Sequence, residues 1–137
     1  RFLGDTPTEN IPRIKAAVQS TDLGTRFELR LGALGAFRSP TSATVLWVKL
    51  EDVDQQLATL AGQINSALEG AGIAPEKRPF VGHLTISRIR KPQNVQRFLD
   101  RFKCHAPPFN VDGAILYRSH LGDGPARYEV LQRYSLV

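Results

Sequence analysis

The chain has 137 residues, 42% hydrophobic and 23% charged, with 18 lysines and arginines against 13 acidic residues, a formal net charge of +5. That length suits one compact domain with a real core, and no apolar run approaches the length of a membrane span. A single cysteine, Cys104, excludes an internal disulfide and fits a reducing compartment, so a cytoplasmic protein is expected, while the excess of arginine favours polyanionic partners without identifying one.

In chain order, Arg1-Phe2-Leu3-Gly4-Asp5 reads as the end of a strand entering a turn, so a chain that starts inside its domain is expected. Residues 7–20 read as a helix: Thr8 suits the N-cap, Pro12 falls in the first turn, and Ile11, Ile14, Ala17 and Val18 recur at helical spacing. Phe27, Leu29 and Leu31 alternate with Glu28 and Arg30 as in a half-buried strand, which Gly32 and Gly35 are expected to break. Residues 44–50 form a β-branched strand around Trp47. Asp52 or Asp54 can cap a second helix whose stripe is Leu57, Leu60, Ala61, Ile64 and Leu68, ended by Gly70 and Gly72. A loop over residues 75–79 precedes the segment 81–89. Pro92 and Asn94 are expected to open a third helix through Phe98 and Phe102, and two long strands, 109–117 and 128–137, flank the turn signal Gly122-Asp123-Gly124-Pro125. Strands and helices in this order predict an α+β domain rather than a parallel α/β fold.

The chemistry is concentrated in Pro79-Phe80-Val81-Gly82-His83-Leu84-Thr85-Ile86-Ser87-Arg88-Ile89-Arg90. Residues two apart on a strand share a face, so simple alternation points His83, Thr85 and Ser87 one way. It puts Leu84, Ile86 and Arg88 opposite His83, unless the strand ends or bulges, and Leu84, Ile86 and Ile89 are expected to supply core contacts. An imidazole beside hydroxyls, with guanidinium groups just beyond, suits a phosphate: proton transfer, hydrogen bonds to phosphoryl oxygens, and charge neutralisation. The competing reading of the same spacing is a half-buried histidine satisfied by a neighbouring hydroxyl. His105 and His120 lie at metal-unlike spacings, and no phosphate-binding glycine loop or nucleophile elbow is present.

Here the sequence resembles a known family. Arg78-Pro79-Phe80-x-x-His83-Leu84-Thr85-Ile86-x-Arg88 is similar to the second His-x-Thr-x motif of the RNA 2′,3′-cyclic phosphodiesterases, also called the 2′–5′ RNA ligase family, within the two-histidine phosphoesterases. Arg1-Phe2-Leu3-Gly4 resembles the residues directly after the first motif in that family. Phe27-Glu28-Leu29, Gly35-Ala36-Phe37 and Val45-Leu46-Trp47-Val48 resemble its middle strands, and Ser119-x-Leu121-x-x-x-Pro125-x-x-Tyr128-x-Val130-Leu131 its C-terminal hairpin.

The resemblance implies one bilobal α+β domain over residues 1–137, with two antiparallel-rich sheets and helices outside. It places the first catalytic strand just before Arg1, so this chain alone is expected to be a poor catalyst, and one lacking that strand is expected to be less stable. It implies His83 as general base, Thr85 as a catalytic phosphate donor, Arg88 as a phosphate-binding cation, and neither metal nor cofactor. The implied substrate is RNA ending in a 2′,3′-cyclic phosphate, opened to a 2′-phosphomonoester by a monomer away from membranes. Two alternatives stay open: a sister 2′–5′ phosphodiesterase or ligase activity, and a non-catalytic RNA-binding module.

Overall fold

Two apolar side chains one helical turn apart begin the fold. Ile14 and Val18 are buried on α1 (Ile11–Gln19), with Pro12 in its first turn. The helix is shorter than its periodicity suggests, because Thr8 belongs to a preceding 3-10 turn (Thr8–Asn10) and the N-cap position falls to Asn10, whose side chain makes no capping bond. The expected opening strand is absent. Residues 1–7 are irregular, and the Arg1 guanidinium bonds Asn65 Oδ1 at 2.9 Å and the Ala74 carbonyl. A strand needs a neighbour's ladder, whereas the arginine fork is satisfied by acceptors on loops and helices.

The computed structural model describes all residues, 1–137, and they form two lobes. The first comprises Arg1–Phe27, Thr59–Pro79 and Val111–Val137; the second comprises Glu28–Ala58 and Phe80–Asn110.

In the first lobe β5 (Gly113–His120) and β6 (Arg127–Ser135) form an antiparallel hairpin around the Gly122-Asp123-Gly124-Pro125 turn. Tyr134 and Leu136 are buried here, as are Ile14, Val18, Leu23 and Phe27. The C-terminus is pinned by backbone bonds from Val137 N–H to Gly24 O, 3.1 Å, and from Arg26 N–H to Val137 O, 3.2 Å. Gly24 has φ +82, a conformation open to glycine at little cost.

The second helix, α2 (Gln56–Gly70), starts where Asp52 rather than Asp54 accepts the Ala58 N–H at 3.0 Å. It stops in a Schellman arrangement: Ile73 N–H bonds Leu68 O and Gly72 N–H bonds Glu69 O, both at 2.9 Å, with Gly72 at φ +79. No helix is long and apolar enough to cross a membrane.

The second lobe is built on the sheet β3-β2-β1-β4. The strand β1 (Phe27–Phe37) runs through both glycines expected to break it, pairing with β2 (Ala43–Glu51) across a register shift between Leu31 and Leu34. A Cβ at Gly32 would overlap the Glu51 side chain and one at Gly35 the Trp47 indole, so these glycines admit partners from β2 and leave the ladder intact. The strand β3 (His83–Gln93) also outruns its expected end, absorbing Pro92, and α3 (Gln96–Arg101) begins later than expected. Proline is tolerated because β3 is an edge strand whose register slips opposite residues 43–45, and Asn94 Oδ1 then takes the Gln96 N–H at 3.1 Å. The expected strand 109–117 is two strands, β4 (Phe109–Val111) in this sheet and β5 in the hairpin.

Candidate active site on the edge strand

The site is set by how β3 pairs with β2. Lys49 faces His83, Val48 faces Leu84 and Trp47 faces Thr85, but the next pairs are Leu46 with Ser87 and Val45 with Arg88. One residue, Ile86, is therefore extra on β3. Residues directly opposite in an antiparallel pair share a face, and an inserted residue reverses the alternation beyond it. Val45, Trp47 and Lys49 alternate along β2 on one face, so their partners Arg88, Thr85 and His83 share it. Ser87 goes to the other face with Leu46. This corrects the expectation from simple alternation, which grouped Ser87 with His83 and put Arg88 opposite.

The same face carries two aromatic rings. Phe37 meets the His83 imidazole edge to face, centroids 4.9 Å apart, and Trp47 lies 6.1 Å from it; the two aromatics are 5.3 Å apart. Trp47 can lie flat against the sheet because Gly35, its cross-strand neighbour, has no side chain: a Cβ there would be 2.7 Å from Cε2 and closer still to the outer ring carbons. The indole Nε1–H is buried with no protein partner. Neither aromatic was assigned a role from the sequence; the usable signal was a glycine placed to oppose a tryptophan.

His83 is exposed, and its Nδ1 lies 2.7 Å from Val81 O. A carbonyl only accepts, so Nδ1 carries the proton and Nε2 of the neutral ring keeps its lone pair. No carboxylate pairs with this imidazole. Gly82 holds the start of the strand close to β2: its carbonyl accepts the Leu50 N–H at 3.0 Å, and a Cβ on it would sit 3.1 Å from a Leu57 methyl. Leu84 and Ile86 are 52% and 49% exposed, not the core contacts expected of them. They belong to an edge strand, and an edge strand has a neighbour on one side alone.

The other candidates fall elsewhere. Arg78 is held by Glu76, with Nε to Oε1 at 3.1 Å and Nη2 to Oε2 at 2.9 Å, and this fork lowers the Glu76 carboxyl to about 2. His120 Nε2 lies 2.9 Å from Glu129 Oε2 on the β5–β6 hairpin, and the Glu129 carboxyl is lowered chiefly by that hydrogen bond, burial opposing. His105 and Cys104 line a shallow cavity with Arg30, Glu51 and Pro107. No group of three or more His, Cys, Asp or Glu side chains converges.

Known proteins resemble this chain along most of its length. An RNA 2′,3′-cyclic phosphodiesterase of Geobacillus stearothermophilus is 28% identical over 141 aligned positions, covering 99% of this chain and 44% of that protein. One of Aeropyrum pernix is 30% identical over 95 residues, covering 69% of this chain and 53% of its own length. The chain thus spans about half the length of these curated relatives. The crystal structure of TT0787 of Thermus thermophilus superposes with a TM-score of 0.74 at 27% identity, covering 98% of this chain and 74% of that one. Two α+β lobes with antiparallel sheets are the fold of these structural neighbours as well. Residues 2–123 match the family described as the 2′-5′ RNA ligase superfamily, and the chain belongs to it.

Proposed function

We propose that the native protein opens 2′,3′-cyclic phosphate ends of RNA to 2′-phosphomonoesters, with His83 as general base. The observation that carries the reading is the single exposed face bearing a histidine with a free Nε2, a hydroxyl and a guanidinium. A water between Nε2 and the phosphorus loses its proton to Nε2 as its oxygen attacks. The bond from phosphorus to the 3′ oxygen breaks, and that oxygen leaves with a proton. The family scheme draws this proton from a second histidine. Thr85 donates a hydrogen bond to a phosphoryl oxygen and Arg88 offsets the charge that builds there. These groups need no metal, and cytoplasmic RNA ends are the expected substrate.

The relatives' names support the substrate class, and Arg88, brought to the His83 face by the extra residue at Ile86, supports the phosphate. The test is hydrolysis of 2′,3′-cyclic nucleotides by the native protein in the presence of a chelator, products resolved by chromatography. His83→Ala should lower the rate by about 10²–10⁴, the usual worth of a positioned acid or base. Unchanged turnover in that variant sinks the assignment. A product with a 2′–5′ linkage, or a 3′-phosphate, would move the protein to a sister activity; RNA binding without turnover would make it a binding module.

A further inference from the structure

The hairpin motif carries residues for which the proposed chemistry has no use, notably Ser119 and Tyr128. The structure places these two directly opposite each other, with Tyr117 opposite Val130 two pairs along, beyond Arg118 and Glu129. Their orientation depends on a second bulge. Leu116 pairs with Gln132 but Tyr117 with Val130, so Leu131 is extra on β6. Tyr134 is buried; by plain alternation Tyr128, six residues earlier, would lie on that same face. The bulge at Leu131 reverses it, and Tyr128 is 65% exposed, with Tyr117 and Val130 exposed beside it. The two tyrosine rings meet at 73°, centroids 6.1 Å apart.

Unpaired aromatic surface on a sheet calls for an occupant, and the charge pattern selects one. Along this face the alternation adds Ile115 and its cross-strand partner Arg133, exposed and cationic, and no carboxylate; Glu129 and His120 lie on the opposite face, beside Arg118. A polyanion with flat apolar bases matches a face of tyrosines, a hydroxyl and one guanidinium in a chain of net charge +5. We infer that the outward face of the β5–β6 hairpin is a single-stranded RNA platform on which Tyr128 and Tyr117 stack a base and Arg133 meets the backbone. The inference rests on RNA as the substrate and deepens it, but it does not depend on His83 chemistry.

Its test measures binding of a 5′-fluorescein oligoadenylate with a plain 3′-hydroxyl, by anisotropy, beside a charge-matched abasic strand. Tyr128→Ala should weaken oligoadenylate binding by roughly 10-fold, the scale of one lost stacking contact, while Tyr128→Phe stays within about 2-fold. The abasic strand should bind weakly and ignore Tyr128→Ala. Should the alanine variant fail to show the parent's thermal transition, tyrosine ring NMR shifts of the unmodified chain on adding the strand decide instead: movement of the Tyr128 ring supports the platform, its stillness overturns it. Equal affinity of parent and Tyr128→Ala overturns the inference and leaves the His83 reading standing. Tyr128-dependent binding in a native protein that turns over no cyclic phosphate supports the platform and sinks the other. Tyr128-dependent dimers that bind no RNA would overturn it in favour of a second copy of the chain.

Discussion

Two strands of this protein each carry a histidine, an arginine and a bulge in the local ladder, yet their histidines differ in chemical freedom. On β3, His83 is held through Nδ1 by a main-chain carbonyl 2.7 Å away, with aromatic rings beside it and no carboxylate paired to it. On β5, His120 spends Nε2 on the Glu129 carboxylate, which Arg118 also approaches at 3.8 Å. A neutral carbonyl fixes the tautomer without bringing a negative charge to the ring, whereas a carboxylate repels a second anion. Residue type is the same in the two places, and the partner sets the difference in chemical freedom.

The largest expected effect breaks this comparison directly. His83→Ala should cost about 10²–10⁴ in cyclic phosphate hydrolysis, whereas His120→Ala should leave the rate within about 2-fold. Comparable losses in the two variants would show that the partner of the imidazole does not matter. Next comes the bulge. Deleting Ile86 removes the extra residue but leaves Ser87 opposite Leu46 and Arg88 opposite Val45, so Arg88 stays on the His83 face. The deletion should therefore keep turnover within about 10-fold of the parent, whereas Arg88→Ala should cost on the order of 10²-fold for one lost charge-stabilising group. An Arg88→Ala variant as active as the parent would remove Arg88 from the site.

Smaller effects concern stability. Gly35→Ala drives a methyl into the Trp47 indole and should destabilise by about 1–3 kcal/mol, read as a lower denaturation midpoint, because an overfilled contact must be relieved by moving the ring. Tyr134→Phe should be neutral or stabilise by up to about 1 kcal/mol, since its hydroxyl is buried with no hydrogen-bond partner. Its pKa is raised by that burial, so below the ordinary tyrosine value of 10.0 its ionisation has no effect on stability, and as pH rises past that value the unfolded chain ionises more readily and the parent loses stability. The variant should therefore resist alkaline unfolding better than the parent. Last are Glu76 and Glu129, both lowered, Glu76 from 4.5 to about 2. A carboxylate with a depressed pKa stabilises above its ordinary value and loses that contribution as pH falls through the folded one. Glu76→Gln should thus lower the thermal midpoint slightly at neutral pH and converge with the parent as the pH approaches 2. A gap that persists in acid would mean that the Arg78 fork is not its source.

Much of this was readable in the chain because it is local. Turn residues, the helical stripes through Ile14 and Val18 and through Leu60 and Leu68, and the His-x-Thr spacing follow from a 3.6- or 2-residue period acting on a few neighbours. The four ordered stretches of resemblance located the motif within a family, and the match over residues 2–123 agrees. Gly32, Gly35 and Pro92 misled for one shared reason. Each looks like a breaker in isolation, and each is accommodated by a particular feature of its sheet: the Glu51 side chain, the Trp47 ring and a free edge.

What residue type and spacing determined by themselves was that His83 and Thr85 lie two apart on a strand with Arg88 close behind. Whether Arg88 serves the same face was decided by the pairing of β3 with β2, because a bulge is a property of two strands and no single-strand period contains it. The same holds for Tyr128, turned outward by Leu131 when β6 meets β5. The histidine's tautomer followed from Val81 placing its carbonyl against Nδ1, and it was the fold that left the ring without a carboxylate in ion-pair reach.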